Sequence, residues 1–405
     1  MNILFFTSNS PYTEINTNKK SIGGAEINLR LIAEEFAKLD HNVFYYSNKK
    51  GMPIKKYING VLTYHSPLFY IPVIHKKISF IRDINKKLIF IQQKKHLKDI
   101  CKKNKIDIIH TYSTYPDSFI TIKAVKNYNI PIVQRIVGRA WYNLLKNNPD
   151  LNTNIKWTFN NVNLLLFITD FIKDQTFNYF LNLGFKIKTP WSLMDIGVDF
   201  NQIKNIDTEK VKVKYNLSDN ENIIICIASF KYYSKRQDIL IKASPELIKK
   251  FNNLRIIFLG DGPNLEKMKR LAKDLKVLEN IRFLGTVPHN DALGMISIAK
   301  VIVHPTDFEG YSNILKESFS LGKALVASDI RPLNDIVIDG HNGMLAENNP
   351  KMFGEKIAFL LNNGDIRESI EKNAAKYAEE NFDSKKNIYK YKKLFLDIVS
   401  KKNGK

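Results

Sequence analysis

Two glutamates, Glu309 and Glu317, stand eight residues apart in the stretch Val301–Asp329, VIVHPTDFEGYSNILKESFSLGKALVASD. Three other glutamate pairs share that spacing, Glu26/Glu34, Glu347/Glu355 and Glu371/Glu379, and read as solvated helix faces. Context separates the fourth pair. Val301-Ile302-Val303 is a β-branched run of the kind that forms a buried parallel strand. Ser312 or Asn313 has the chemistry of a helix cap, and Ile314, Leu315, Phe319 and Leu321 come after it at helical spacing. Gly322 ends that helix, and Ala324–Ala327 reads as the next strand. Strand, glycine-bearing loop, helix and strand build an anion site, because the unpaired backbone N–H groups of a helix start point at the ligand. A carboxylate repels phosphate but accepts hydrogen bonds from hydroxyls. Two glutamates flanking such a helix start, at the edge where open α/β sheets bind ligands, imply a diphosphate with a sugar diol on either side.

The elements that must position these groups alternate along the chain. Strands read at Asn2–Thr7, Val43–Tyr46, Ile106–His110, Ile130–Ile136 and Leu164–Ile168. Helices read at about Ile27–Leu39, Ile84–Lys103 and Ser118–Asn127. The pattern restarts with strands Ile223–Ile227, Leu254–Leu259 and Ile281–Leu284 before it reaches the glutamates. Such alternation predicts parallel sheets covered on both faces, and 405 residues exceed one typical core, so two domains are expected. Gly23 and Gly24, between the first strand and the first helix, let backbone approach a ligand closely. Their loop is too long for G-x-G-x-x-G, which removes the main support for an NAD enzyme. His110, closing Asp107-Ile108-Ile109-His110, is a candidate site residue, with a hydrogen-bonded structural histidine as the equal alternative.

Two cysteines, Cys101 and Cys226, offer neither a disulfide framework nor a metal cluster. The N-terminus MNILFFTSN reads as a first strand rather than a signal peptide, and no stretch approaches ~20 uninterrupted apolar residues, so a cytoplasmic setting is expected. The net charge of +22 demands an anionic partner or surface. It concentrates between residues 76 and 105, where eleven Lys/Arg face Asp83 and Asp99, leaving 11 − 2 = +9. Ile84, Leu88, Ile89, Phe90, Ile91 and Leu97 interleave with those cations. A basic helix with apolar partners can lie on an anionic bilayer; a solvated lysine-rich helix is the alternative. No nucleic-acid motif accompanies the charge, so no nucleic-acid partner is expected.

Pro305-Thr306, Glu309-Gly310-Tyr311-Ser312-Asn313, Glu317 and Gly322-Lys323 resemble the E-x7-E signature of family 4 glycosyltransferases, retaining enzymes of the GT-B fold. That resemblance implies two Rossmann-like, doubly wound parallel-sheet domains with an interdomain cleft. Domains are placed at 1–203, with a C-terminal crossover helix at about 385–405 returning to the first domain, and at 204–384. By resemblance Glu309 contacts the donor sugar, Glu317 holds the ribose, and the backbone of Gly310, Tyr311, Ser312 and Asn313 lies against the diphosphate. Lys235 matches the lysine that neutralises the diphosphate. Where the family has a companion arginine this chain has Phe230, and Lys231 beside it is the second cation. Gly23 and Gly24 match the loop that faces the donor phosphates. One departure stands out: Val137 occupies the place of a usual histidine after the strand Ile130–Ile136, with Arg135 and Arg139 as polar substitutes on the acceptor side.

The implied activity is a retaining transfer of a hexosyl group from a UDP- or GDP-sugar to a glycan or lipid-linked acceptor, as in cell-surface polysaccharide synthesis. No D-x-D triplet occurs in the chain, which fits a metal-independent reaction without cofactors. The alternatives are a GT-B epimerase, a non-catalytic sugar-nucleotide-binding protein, and a basic membrane- or RNA-binding protein.

Overall fold

The computed structural model describes residues 1–8, 10–12, 24–49, 54–69, 79–138 and 140–403. It divides into two compact units, Met1–Ile196 with Lys385–Lys405, and Gly197–Ser384. The division between Ile196 and Gly197 falls earlier than the 203/204 boundary read from the sequence.

The first unit holds strands β1 (Asn2–Thr7), β2 (Asn42–Lys49), β3 (Ile54–Ile58), β4 (Val61–Pro67), β5 (Ile108–Thr111), β6 (Ile132–Ile136), β7 (Leu164–Phe167) and β8 (Trp191–Leu193). They form one sheet in the order β3-β4-β2-β1-β5-β6-β7-β8. All neighbours are parallel except β3 and β4, an antiparallel hairpin. Its turn, Asn59-Gly60, has φ of 49° and 79°, the left-handed pair that a two-residue hairpin needs. This Asn-Gly signal marks a hairpin that the strand–helix alternation did not include.

Phe5, Val43, Tyr45, Ile108 and Val133 build the core on one face of this sheet, against Leu29 and Phe36 of the helix Gly24–Lys38. The C-terminal helix Ser384–Asn403 adds Ile388, Tyr391 and Phe395, spaced along one side, to the same core. The basic helix Ser79–Asn104 also packs inward through Gln93, Leu97, Ile100 and Cys101. Phe90 sits against Phe119, with ring centroids 6.0 Å apart. Some of the apolar residues offered to a bilayer are therefore committed to the fold, while Ile91 stays exposed among the lysines. Residues 76–78 of the basic stretch lie outside the described residues.

The second unit holds β9 (Asn222–Ile227), β10 (Leu254–Leu259), β11 (Ile281–Gly285), β12 (Val301–His304), β13 (Leu325–Ser328) and β14 (Met344–Ala346), all parallel, in the order β11-β10-β9-β12-β13-β14. Successive residues serve opposite faces: Ile224, Cys226, Val301 and Val303 enter one core, and Ile223, Ile225 and Ile302 the other. Burial on both sides explains the unbroken apolar runs. The strand order reverses direction between β9 and β12, so the loops after Ile227 and His304 open at a topological switch point, the place where such sheets bind ligands. Among the described residues no helix is long and apolar enough to cross a membrane.

Candidate active site

The loop after β9 is held by the turn after β10. Gly260 has φ of 128°, and a Cβ there would lie 2.1 Å from the Ala228 carbonyl oxygen; at Gly262 it would lie 2.4 Å from the Phe230 carbonyl carbon. Only glycine permits that approach, which is what the Gly260-Asp261-Gly262-Pro263 string is for. Phe230 N–H then donates to the Asp261 carbonyl (3.0 Å) and Asn264 N–H to the Phe230 carbonyl (3.1 Å). Downstream, Asp307 N–H donates to the Ser234 carbonyl (2.8 Å), and Thr306 Oγ1 donates to the same oxygen (2.9 Å). These bonds fasten the loop after β12 to the loop after β9, and they bring Glu309 to Lys235.

Lys235 Nζ donates to Glu309 Oε2 at 2.6 Å, with side chains 21% and 14% exposed. Glu309 Oε1 accepts from the N–H of Gly310 at 3.0 Å. His304, buried at the end of β12, brings Nε2 to 3.3 Å from Glu309 Oε2, without the alignment of a hydrogen bond. Burial pushes the Glu309 carboxyl up, but the His304 imidazole and the Lys235 ammonium outweigh it and hold the group at about 2. Glu309 is therefore anionic, and these contacts orient its carboxylate.

The helix Asn313–Ser320 starts where the sequence placed it. Ser312 is its cap, its Oγ accepting from Leu315 N–H at 3.1 Å. Asn313 opens the first turn, and Gly310 is buried just ahead of it. Tyr311 is half-buried, with Lys316 Nζ 4.5 Å from its ring centroid. Glu317, in the second turn, pairs with His289, whose Nε2 lies 2.9 Å from Oε1. His289 begins the helix His289–Ile298. Burial depresses its basicity, yet the hydrogen bond and charge of Glu317 prevail and raise it above the usual histidine value. Lys231 is exposed, 5.3 Å from the Tyr232 ring centroid, and makes no ion pair among the described residues. Phe230, at the place of the family's arginine, is core.

His304 and His289 were missed as glutamate partners: His289 lies 28 positions from Glu317, and His304, five positions before Glu309, closes a strand whose apolar run draws the reading to its core role. Arg236 was missed too; it joins Asp238 (3.0 Å) and Asp307 (2.9 Å), bracing the same two loops.

In the first unit the acceptor-side candidates are placed differently. His110 is fully buried in β5, its ring 5.2 Å from Phe5 and 5.8 Å from Phe395, and Nδ1 3.2 Å from the Thr111 carbonyl. Burial, reinforced by the nearby Arg135 charge, lowers it to about 3. It is a neutral core histidine, the structural one of the two readings that the sequence leaves open. Arg135 is also fully buried: Nη1 donates to the Tyr391 hydroxyl, and Nη2 reaches Asp195 Oδ1 at 3.4 Å. Its guanidinium ties the C-terminal helix to the sheet, so it too is structural. Gly24 opens the helix Gly24–Lys38; Gly23 and Arg139 lie outside the described residues.

Two doubly wound parallel-sheet units, the second with cations and carboxylates converging on a capped helix start, define the GT-B class of sugar-transferring enzymes. Residues 22–182 match the family model "Glycosyltransferase Family 4" and residues 207–377 match "Glycosyl transferases group 1". The chain belongs to the family 4 glycosyltransferases. It is 30% identical over 208 residues to an uncharacterised glycosyltransferase of Methanocaldococcus jannaschii, a match that spans 50% of this chain and about half (52%) of that protein. It is 20% identical over 313 residues to N-acetyl-α-D-glucosaminyl L-malate synthase of Bacillus anthracis, spanning 76% of this chain and 80% of the relative. Among solved structures, Anabaena HepE in complex with UDP and glucose shares the fold with a TM-score of 0.75 at 15% identity, covering 98% of this chain and 100% of that one.

Proposed function

We propose that the chain transfers a hexosyl group from a nucleotide-sugar donor, with retention and without a metal, to a glycan or lipid-linked acceptor. The observation that carries this reading is the arrangement Lys235–Glu309–Ser312–Glu317 around one helix start at the switch point of the second sheet. In it, the donor diphosphate lies at the start of the helix Asn313–Ser320, Glu317 takes the ribose hydroxyls and Glu309 the donor sugar. As the bond between the anomeric carbon and the diphosphate oxygen breaks, negative charge grows on the leaving group. Lys235, Lys231 and the helix start stabilise it, in place already when the charge develops. The acceptor oxygen forms the new bond on the same face, and its proton departs on the leaving diphosphate. For this, Lys235 must turn from Glu309 to the phosphates, and buried His304 remains to hold Glu309 anionic.

The solved complex of HepE with UDP and glucose supports a uridine donor, with a GDP-sugar as the second candidate. A panel of UDP, GDP, ADP and their sugars tests the reading by thermal shift, since only binders raise the melting point. One nucleotide series raising Tm, with loss in Glu317→Ala, is the expected result; no shift from any of them contradicts it.

We place the enzyme at the cytoplasmic face of a membrane. Supporting this, Lys86, Lys87, Lys95, Lys102 and Lys103 are exposed on the helix Ser79–Asn104, together with Ile91. Exposed Phe69 is fixed beside them by two 2.8 Å bonds between its backbone and the Gln92 amide. Flotation with anionic vesicles should weaken when Lys86, Lys87, Lys94 and Lys95 are neutralised, and unchanged flotation removes the membrane claim.

A further inference from the structure

His289 opens the helix His289–Ile298, a place where a histidine does little for its own helix. Pro288 stands ahead of it, and no side chain caps this start. Burial and the positive end of the helix dipole both oppose a cation there. Yet the imidazole holds its proton more firmly than an ordinary histidine, because Glu317 Oε1 lies 2.9 Å from its Nε2. Of the charged groups on the elements packed against His289, Glu317 is the one that faces it among the described residues. Lys210 and Lys214, on the helix Thr208–Tyr215, act on Asp291 instead, which also accepts from the Tyr215 hydroxyl at 2.7 Å.

The other ring nitrogen has a partner as well. Gln202, on the short helix Phe200–Lys204, donates from its amide nitrogen to Asn290 Oδ1 at 2.6 Å, and the same nitrogen lies 3.4 Å from His289 Nδ1. An amide N–H aimed at Nδ1 places the neutral ring's proton on Nε2, against Glu317. The bond to Glu317 therefore forms in both protonation states, with charge at low pH and without it at high pH. On Glu317 this bond occupies Oε1, while Oε2 accepts no hydrogen bond from the described residues. The Glu317 side chain is 12% exposed, so the open oxygen is accessible from one side only.

We propose that His289, oriented by the Gln202 amide, is the positioning residue that fastens Oε1 of Glu317 so that Oε2 accepts the ribose hydroxyls of the donor. An unfastened glutamate would have to be ordered as the nucleotide binds, at a cost in rotamer freedom. Here that ordering is complete when the chain folds, and His289 and Gln202 act through Glu317.

The ribose in this role comes from the nucleotide-sugar reading proposed above, on which the inference rests, and the test keeps the two apart. The probes are UDP-glucose, GDP-mannose and ADP-glucose, whose diphosphate diesters do not titrate near neutrality, so a pH dependence belongs to the protein. Calorimetry on the full chain reads affinity at about pH 5.5 and about pH 8, on either side of the histidine range. For the sugar nucleotide that binds, the parent should lose about threefold in affinity between the two, as the charge goes and the hydrogen bond stays. His289→Phe should bind about tenfold more weakly than the parent at the lower pH and show a flat profile. Gln202→Leu keeps the imidazole but frees the neutral ring to carry its proton on Nδ1, so its loss between the two pH values should be about tenfold, steeper than the parent's. Circular dichroism checks that each variant is folded, and if His289→Phe is not, the Gln202→Leu profile decides. Full affinity in a folded His289→Phe, or a parent-like profile in Gln202→Leu, would overturn the inference. Binding of none of the three probes by the parent removes the donor reading, and this inference with it.

Discussion

The two sheets of this chain end in opposite chemistry. At the switch point of the second, charged groups gather and most of them pair: Lys235 with Glu309, Arg236 with Asp238 and Asp307, His289 with Glu317. Beside the corresponding edge of the first, the described residues that line a cavity at the carboxyl ends of β5 and β6 are uncharged, and the ionisable residues of β5 and β6, His110 and Arg135, are turned into the core. The same architecture thus supplies a polar end and an apolar end by changing only the loops at the strand ends.

Three substitutions sharpen that contrast, in decreasing order of effect. Glu309→Gln keeps the shape but removes the charge, and kcat should fall about 100-fold with the donor KM little changed, as for loss of one preorganised electrostatic group. An unchanged kcat would take Glu309 out of the chemistry. Glu317→Ala should weaken nucleotide binding by roughly 10–100-fold, the loss of hydrogen bonds to a charged acceptor, with the fold intact by circular dichroism. Calorimetry with the free nucleoside diphosphate reads it directly. Tyr391→Phe tests the other sheet: it strips the buried Arg135 of a hydrogen-bond partner and should cost about 1–3 kcal/mol of unfolding free energy while leaving nucleotide affinity at the parent value. A catalytic defect larger than the stability defect would return Arg135 to the site.

The smallest effect is one of pH. Glu309 lies below the ordinary carboxylate value, so the stability it contributes is complete above about 4.5 and is lost as pH falls toward about 2. In His304→Phe the imidazole that favours the Glu309 anion is gone, and the acid limb of the unfolding curve should move to higher pH. His289 runs the other way. Its raised value means that the pairing with Glu317 is complete below 6.5 and fades as pH rises through the raised value, so His289→Phe should flatten that alkaline decline.

Most of the parallel strands and the glutamate-bearing loop were legible because they are local. Val301–Asp329 carries its strand, cap, helix and turn within one short stretch, and the Ser312 cap appears in the structure as read. What the sequence concealed is whatever depends on distant pairing. Arg135 meets Tyr391 across 256 positions, and Glu317 meets His289 across 28, so no spacing rule reveals either. His110 illustrates the converse. A histidine closing a strand looks like a site residue until the C-terminal helix covers it with Tyr391 and Phe395. The hairpin at Asn59-Gly60 was signalled locally, by a dipeptide outweighed by the expectation of strand–helix alternation.

The most direct test of the central claim is a crystal of the full chain soaked with nucleoside diphosphate. Phosphate density should lie on the start of the helix Asn313–Ser320, with the ribose on Glu317 and Lys235 Nζ moved from Glu309 to a phosphate oxygen. Density away from that helix start, or an undisturbed Lys235–Glu309 pair beside a bound diphosphate, would contradict it.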